Sequence, residues 1–168
     1  MSEVFMSDPL PNIPLVTPLN AQQLKTAGVP EGWNFGQADR VRFHELDALN
    51  HVNNIVYLRW FEDIRIPYFH AHAITSYDSE NDPQVVLATN FARYFKPMFL
   101  SETYVIAARA ASFRNSSFVL EYGIFVDGEL RCGGETVVVT LEHDGKTKRP
   151  LSAQVIAALT ADGASKAE

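Results

Sequence analysis

The chain has 168 residues, 46% of them hydrophobic and 20% charged, and a formal net charge of −6. That balance suits one globular domain with room for a real core and excludes an intrinsically disordered chain; the acidic surface argues against a broad nucleic-acid partner, which needs clustered Lys and Arg. No uninterrupted apolar run is long enough to span a bilayer, and the single cysteine, Cys132, excludes an intramolecular disulfide and fits a reducing compartment.

Residues 1–19 hold four prolines and no clear period, which predicts an extended surface arm. Glu3 and Asp8 stand where a secretory signal would need basic and then apolar residues, so a cytoplasmic location is expected. Asn20 can cap a short helix over 21–27, which Gly28 and Pro30 would stop. Gly32 and Gly36 predict further turns. From Arg40 to Glu45 the alternation Arg-Val-Arg-Phe-His-Glu predicts a half-buried strand, followed by a loop over 46–53.

The segment 54–74 is too long for a strand and predicts a helix. Arg59, Glu62, Asp63 and His70 fall on one polar stripe, with Arg65 and His72 as a second, smaller polar edge. Nearly everything else on it is apolar, so it must be covered on several sides. Pro67 should kink it or end its regular part near Ile66. Strand-like runs follow over 85–95, 103–113, 117–126 and 129–142. Asp127-Gly128 is a strong hairpin signal, Arg114-Asn115-Ser116 a plausible turn, and Gly133-Gly134 predicts a bulge or a close backbone approach. Ser152 can cap an Ala-rich helix to Leu159, with a frayed end beyond it. This order divides into an N-terminal arm with a short helix (1–38), a core domain (39–145) and a partly helical C-terminal extension (146–168). The expected fold class is α+β: an antiparallel five-stranded sheet wrapped around one long central helix. Its open edges favour a homo-oligomer, a dimer or a tetramer.

The loop His51-Val52-Asn53-Asn54, with Asp47 four residues upstream, is the densest chemistry in the chain. It gathers an acid, a histidine and two amides directly before a helix start, whose first N–H groups are unpaired donors at the positive end of the helix dipole. Asp47 stands among Leu46, Ala48 and Leu49, a setting that raises a carboxyl pKa by desolvation. It can act as general base or as nucleophile, while His51 orients it or protonates a leaving group. On residue chemistry alone, the default role of Asp47 is a turn carboxylate. Asn53 or Asn54 caps the helix. Tyr57 can line a pocket, and Arg93, Lys96 and Arg114 can meet phosphates. His70 and His72, two apart, point to different faces and make no metal site.

Three stretches, Val41-Arg42-Phe43-His44-Glu45-Leu46-Asp47, His51-Val52-Asn53-Asn54 and Tyr57-Leu58-Arg59-Trp60-Phe61-Glu62, together resemble the hotdog-fold acyl-CoA thioesterases, in the branch that includes 4-hydroxybenzoyl-CoA thioesterase. Tyr94, Pro97 and Ser101-Glu102 also match, so the resemblance covers about residues 39–142. It implies a hotdog fold, hydrolysis of an acyl-CoA to acid and CoA, no metal or cofactor, and a site at a subunit interface. On this resemblance Asp47 and His51 are catalytic, and Asn53, Asn54, Tyr57, Arg93 and Arg114 bind substrate. The chain departs from the related plant acyl-ACP thioesterases at Leu49, where they carry Asn, and from the family's usual Gly at Asn50. Asn tolerates positive φ next best after Gly, so that turn can survive. An acyl-ACP substrate and a non-catalytic acyl-thioester-binding role on the same fold are the alternatives. The Asp-x-Asn-Pro-x-His pattern of hotdog hydratases is absent.

Overall fold

The computed structural model describes residues 13–168; the first twelve residues of the expected N-terminal arm lie outside the described residues. Chain order begins with β1 (Pro18–Leu19), α1 (Ala21–Thr26), β2 (Phe35–Arg40) and a 3-10 turn (Phe43–Glu45). The long helix α2 (Asn54–Ala71) follows, then β3 (Gln84–Tyr94), β4 (Thr103–Phe113), β5 (Ser117–Val126) and β6 (Glu129–Leu141). The chain closes with α3 (Ala153–Ala161) and β7 (Ser165–Lys166). The sheet order is β1-β2-β4-β5-β6-β3, with every pairing in that path antiparallel; β7 adds to β4 in parallel. Five long strands therefore wrap α2 as expected, extended by β1 and β7, of two residues each. This is the hotdog arrangement.

Sheet alternation separates two cores. Tyr104, Ile106, Ala108 and Ala110 of β4 face α2 together with Leu120, Tyr122, Ile124 and Val138. Trp60 stacks on Tyr104 and Phe61 on Tyr122, with ring centroids 4.1 and 4.4 Å apart. Val105, Ala107 and Phe125 point the other way and pack under Leu19, Leu24, Ala27 and Val29 of the N-terminal segment. Burying each large side chain of this kind contributes about 1.5–3 kcal/mol. Bulges between Leu87 and Thr89 and between Ala110 and Ser112 help bend the strands around α2.

Several expectations need correction. The first long strand is Phe35–Arg40, not 40–45, so it straddles the expected domain boundary. Gly36 is a strand residue rather than a turn: a Cβ there would lie 2.6 Å from Leu24 Cδ2 and 2.8 Å from the Ile106 carbonyl oxygen, so glycine lets α1 sit on the sheet. In the run 40–45 the alternation fails at Phe43, which is 79% exposed. The cause is local: the Glu45 side chain turns back to accept the Arg42 N–H at 2.7 Å and closes the 3-10 turn. Helix α2 continues through Pro67 to Ala71, and Arg65, expected on a polar edge, is only 5% exposed. The chain end is not frayed, because Ser165 and Lys166 pair with Ser112 and Phe113. The C-terminal extension is integral, with Leu151, Val155, Leu159 and Ala164 in the main core.

Candidate active site

Two neighbouring elements build the site: the loop after the 3-10 turn and the first turn of α2. Asn50 has φ of 60°, the left-handed conformation expected for it, and its N–H donates to the Asp47 carbonyl at 3.1 Å. The Asp47 N–H donates back to the His51 carbonyl at 2.9 Å, so the loop is a closed hairpin. Asn53 caps α2: its Oδ1 accepts the Ile55 N–H at 3.0 Å. The Val56 N–H goes to the Asn53 carbonyl. That leaves the Asn54 N–H, the first of the helix, with no acceptor among the described residues.

The buried base of the loop is Glu45, whose side chain is fully covered. It accepts from Arg59 Nη2 at 2.6 Å and from Trp60 Nε1 at 3.0 Å, and its carbonyl accepts the Asn53 N–H at 2.9 Å. One carboxylate thus ties the 3-10 turn to α2 and fixes where the loop between them sits. Sequence reading misses this because the alternation assigns Glu45 to a strand.

Asp47 is different. Its side chain is 27% exposed, Oδ1 accepts the Leu49 N–H at 2.8 Å, and Oδ2 accepts no hydrogen bond. His51 Nδ1 stands 3.7 Å from that free oxygen, close enough for an electrostatic pairing and too far for a hydrogen bond. Ala48 and Leu49, two of the three apolar neighbours expected to desolvate Asp47, are themselves exposed in the single chain.

Asp47, His51, Val52, Asn54 and Tyr57 line a cleft of about 340 Å³, closed on its far side by Tyr94, Phe95, Lys96 and Pro97. Tyr94 donates from its hydroxyl to the Asn54 carbonyl at 2.9 Å and packs edge-on against Tyr57, with centroids 5.2 Å apart. Burial holds the Tyr57 hydroxyl above its ordinary pKa, so it stays a neutral donor, and it has no partner among the described residues. Lys96 at the rim pairs with Glu129, and that hydrogen bond holds the Glu129 carboxyl below its usual range. Of the expected substrate-binding residues, Asn54 and Tyr57 line the cleft, and Asn53 acts beneath it as the helix cap. Arg93 lies outside the lining, its guanidinium over the Phe95 ring. Arg114 sits in the β4–β5 turn at the other end of the sheet. Tyr94 and Lys96 reach the cleft only through the pairing of β3 with β6, which one sequence does not reveal.

Among the described residues no group of three or more His, Cys, Asp or Glu is placed to hold a metal ion, and no helix is long and apolar enough to cross a membrane. Burial pushes the Cys132 thiol up to about 12.

Comparison with known proteins agrees with this geometry. Residues 41–159 match the model of the thioesterase-like superfamily. A thioesterase-superfamily protein from Jannaschia sp. CCS1 superposes with a TM-score of 0.85 at 39% identity, covering 89% of this chain and 95% of that one. A thioesterase from Thermus thermophilus, in complex with coenzyme A and zinc, gives a TM-score of 0.69 at 30% identity, over 79% of this chain and 96% of that one. The uncharacterized protein YsmA of Bacillus subtilis is 26% identical over 133 residues, 79% of this chain and 86% of that protein.

Proposed function

The chain belongs to the thioesterase-like superfamily, and from that premise we propose that it hydrolyses acyl-CoA thioesters to the free acid and CoA in the cytoplasm. One observation carries the reading: Asp47, whose Oδ2 accepts no hydrogen bond, and Asn54, whose helix-start N–H has no acceptor among the described residues, line the same cleft. A thioester needs both, a group that attacks or activates water, and a donor where charge develops on the carbonyl oxygen. The positive end of α2 adds to the second.

In this mechanism the thioester carbonyl oxygen lies on the Asn54 N–H, within reach of the Tyr57 hydroxyl. Asp47 acts on the carbonyl carbon, as general base through water or as nucleophile, and His51 stabilises the ionised carboxylate or protonates the departing thiolate. Lys96 at the rim suits a CoA phosphate; Arg93 and Arg114 would have to reach phosphate groups from outside the cleft. The active assembly is a homodimer or higher oligomer. Among the described residues β3 has a strand on one side only, with Val86, Leu87, Phe91 and Tyr94 exposed, and a second copy against its open edge would cover the loop and exclude water from Asp47.

The test is thiol release from aromatic, short-chain and long-chain acyl-CoAs, beside Asp47→Asn. Turnover of some member, lost in the variant, supports the reading. Turnover that survives Asp47→Asn removes Asp47 from the mechanism. Silence across the panel with acyl-CoA still bound points to an ACP-carried substrate or a binding role.

A further inference from the structure

Arg65 carries a charge that the fold leaves unanswered. It sits in the middle of α2, 5% exposed, facing the inner side of β5 and β6. Its Nη1 donates to the Tyr122 hydroxyl at 3.3 Å and to Thr136 Oγ1 at 3.5 Å, two long bonds to neutral groups. Among the described residues no carboxylate forms a salt bridge with it. Guanidinium cannot shed its proton to escape burial, and an uncompensated buried charge is strongly destabilising.

The rest of its fork is not sealed. Nε and Nη2 donate no hydrogen bond among the described residues, yet neither belongs to the fully buried, unpaired atoms, which are Arg40 Nε and Arg131 Nε. Each therefore keeps a little accessible surface. Around them lies a polar layer: Thr136 donates to Asn90 Oδ1 at 2.9 Å, and Asn90 is exposed on the β3 edge. Tyr77, 54% exposed, is the other neighbour that feels the Arg65 charge.

This layer lies in line with the cleft. Residues of β3 opposite Cys132, Gly134 and Thr136 are Tyr94, Ala92 and Asn90, and alternation puts all three on the α2 side. Tyr94 borders the cleft and Asn90 belongs to the Arg65 layer; along β3 only Ala92, small and half-buried, lies between them on this face, with the Phe61 ring packed over its β6 partner Gly134, so a chain joining the two would run along β3 beside that ring. The span from Tyr94 to Asn90 is roughly 13 Å along the strand. From Asn54 to Arg65 it is about 16 Å along the helix, less the reach of an arginine that leans toward the helix start.

We propose that the acyl group taken by this protein ends in a carboxylate, received by Arg65 with Asn90, Tyr122 and Thr136 while its thioester lies at Asp47 and Asn54. The inference rests on the thioesterase reading and names the substrate class: ω-carboxyacyl thioesters of medium length. A carboxylate fits because the two free N–H groups of a guanidinium edge match its two oxygens.

The experiment uses the full-length protein and thioether analogues of acyl-CoA. Their chains are about six to twelve carbons long, to match the span above, and end either in carboxylate or in methyl. Calorimetric titration should find the carboxyl-ended series bound at least about tenfold more tightly at equal length, one strong charge-assisted contact. In Arg65→Met and Arg65→Gln that preference should collapse while methyl-ended affinity holds. Equal or weaker binding of the carboxyl-ended series by the unaltered protein overturns the proposal without any variant, and a preference that persists in Arg65→Met does so too. Arg65 is then a brace for β5 and β6, or the partner of a carboxylate on a second copy. Thiol release from the matching thioesters separates the two readings. No release with an intact preference sinks hydrolysis alone; release indifferent to the chain end sinks the carboxylate site alone.

Discussion

An aspartate stands near each end of α2, and the two are treated in opposite ways. At the C-terminal end Asp162 is 8% exposed; its Oδ2 accepts the Tyr68 hydroxyl at 2.5 Å and the Ala110 N–H at 2.8 Å, joining α3, α2 and β4. At the N-terminal end Asp47 is partly exposed, and its one hydrogen bond, from the Leu49 N–H, stays within its own loop. What separates them is burial and reach: through one oxygen the buried Asp162 ties two other elements to α3, a structural duty. Asp47, held by a single backbone bond and lining the cleft with Asn54, joins no other element, which suits the chemistry proposed for it. The difference lies in the loop: Glu45 takes over the structural duty at that end, which leaves Asp47 unburdened.

The sharpest way to break this comparison is to exchange charge at each end. Asp47→Asn keeps the acceptor for the Leu49 N–H, so its melting temperature should stay within a few degrees, while turnover of a substrate that the wild type hydrolyses falls about 10²- to 10⁴-fold. Asp162→Ala should do the reverse: it strands the Tyr68 hydroxyl and the Ala110 N–H, costs about 3 kcal/mol in urea unfolding, and leaves kcat per folded molecule unchanged. A large rate loss in the Asp162 variant would end the division of labour.

Glu45→Gln tests the handover between the two roles. It should cost about 2 kcal/mol, by weakening the Arg59 and Trp60 bonds, and also lower kcat severalfold, because the loop loses its anchor. Stability loss without rate loss would mean that the anchor does not set the loop. A smaller effect is expected from Tyr94→Phe, which removes the bond to the Asn54 carbonyl; kcat/KM should drop by a factor of about 3 to 10, with little change in melting temperature.

The smallest effect belongs to Cys132, which touches neither aspartate. Its thiol value rises from 9.0 in the unfolded chain to about 12 in the fold, so between those values the folded protein keeps a proton that the unfolded chain has lost. That contribution is fully present below pH 9.0 and is lost as pH climbs toward about 12. Urea midpoints from pH 8 to 11 should fall less steeply in Cys132→Ala than in the unaltered protein.

Legibility followed distance along the chain. The loop from Asp47 to Asn54 could be read because its parts are contiguous, and the positive φ of Asn50 followed from the family's usual Gly there and the tolerance of Asn for that conformation. The helix caps at Asn20, Asn53 and Ser152 were equally local. Tyr94 and Lys96 enter the cleft from forty residues away, through strand register. The strand at Phe35–Arg40 was hidden because Gly36 reads as a turn until the Leu24 side chain pressing on it is known. Arg65 was misplaced for a similar reason. A helical wheel gives the direction of a side chain but not what covers it, and this helix is covered on most of its surface.

The outer core has a consequence for synthesis. Leu19, Leu24 and Val29 pack against Val105, Ala107 and Phe125, so the cover is made before the surface it protects. At typical translation rates the earlier residues wait on the order of ten seconds for their partners to emerge. During that interval they are bare apolar side chains on a tethered nascent chain. The outer cover of the sheet is thus a stretch that gains from a chaperone's shelter at the ribosome.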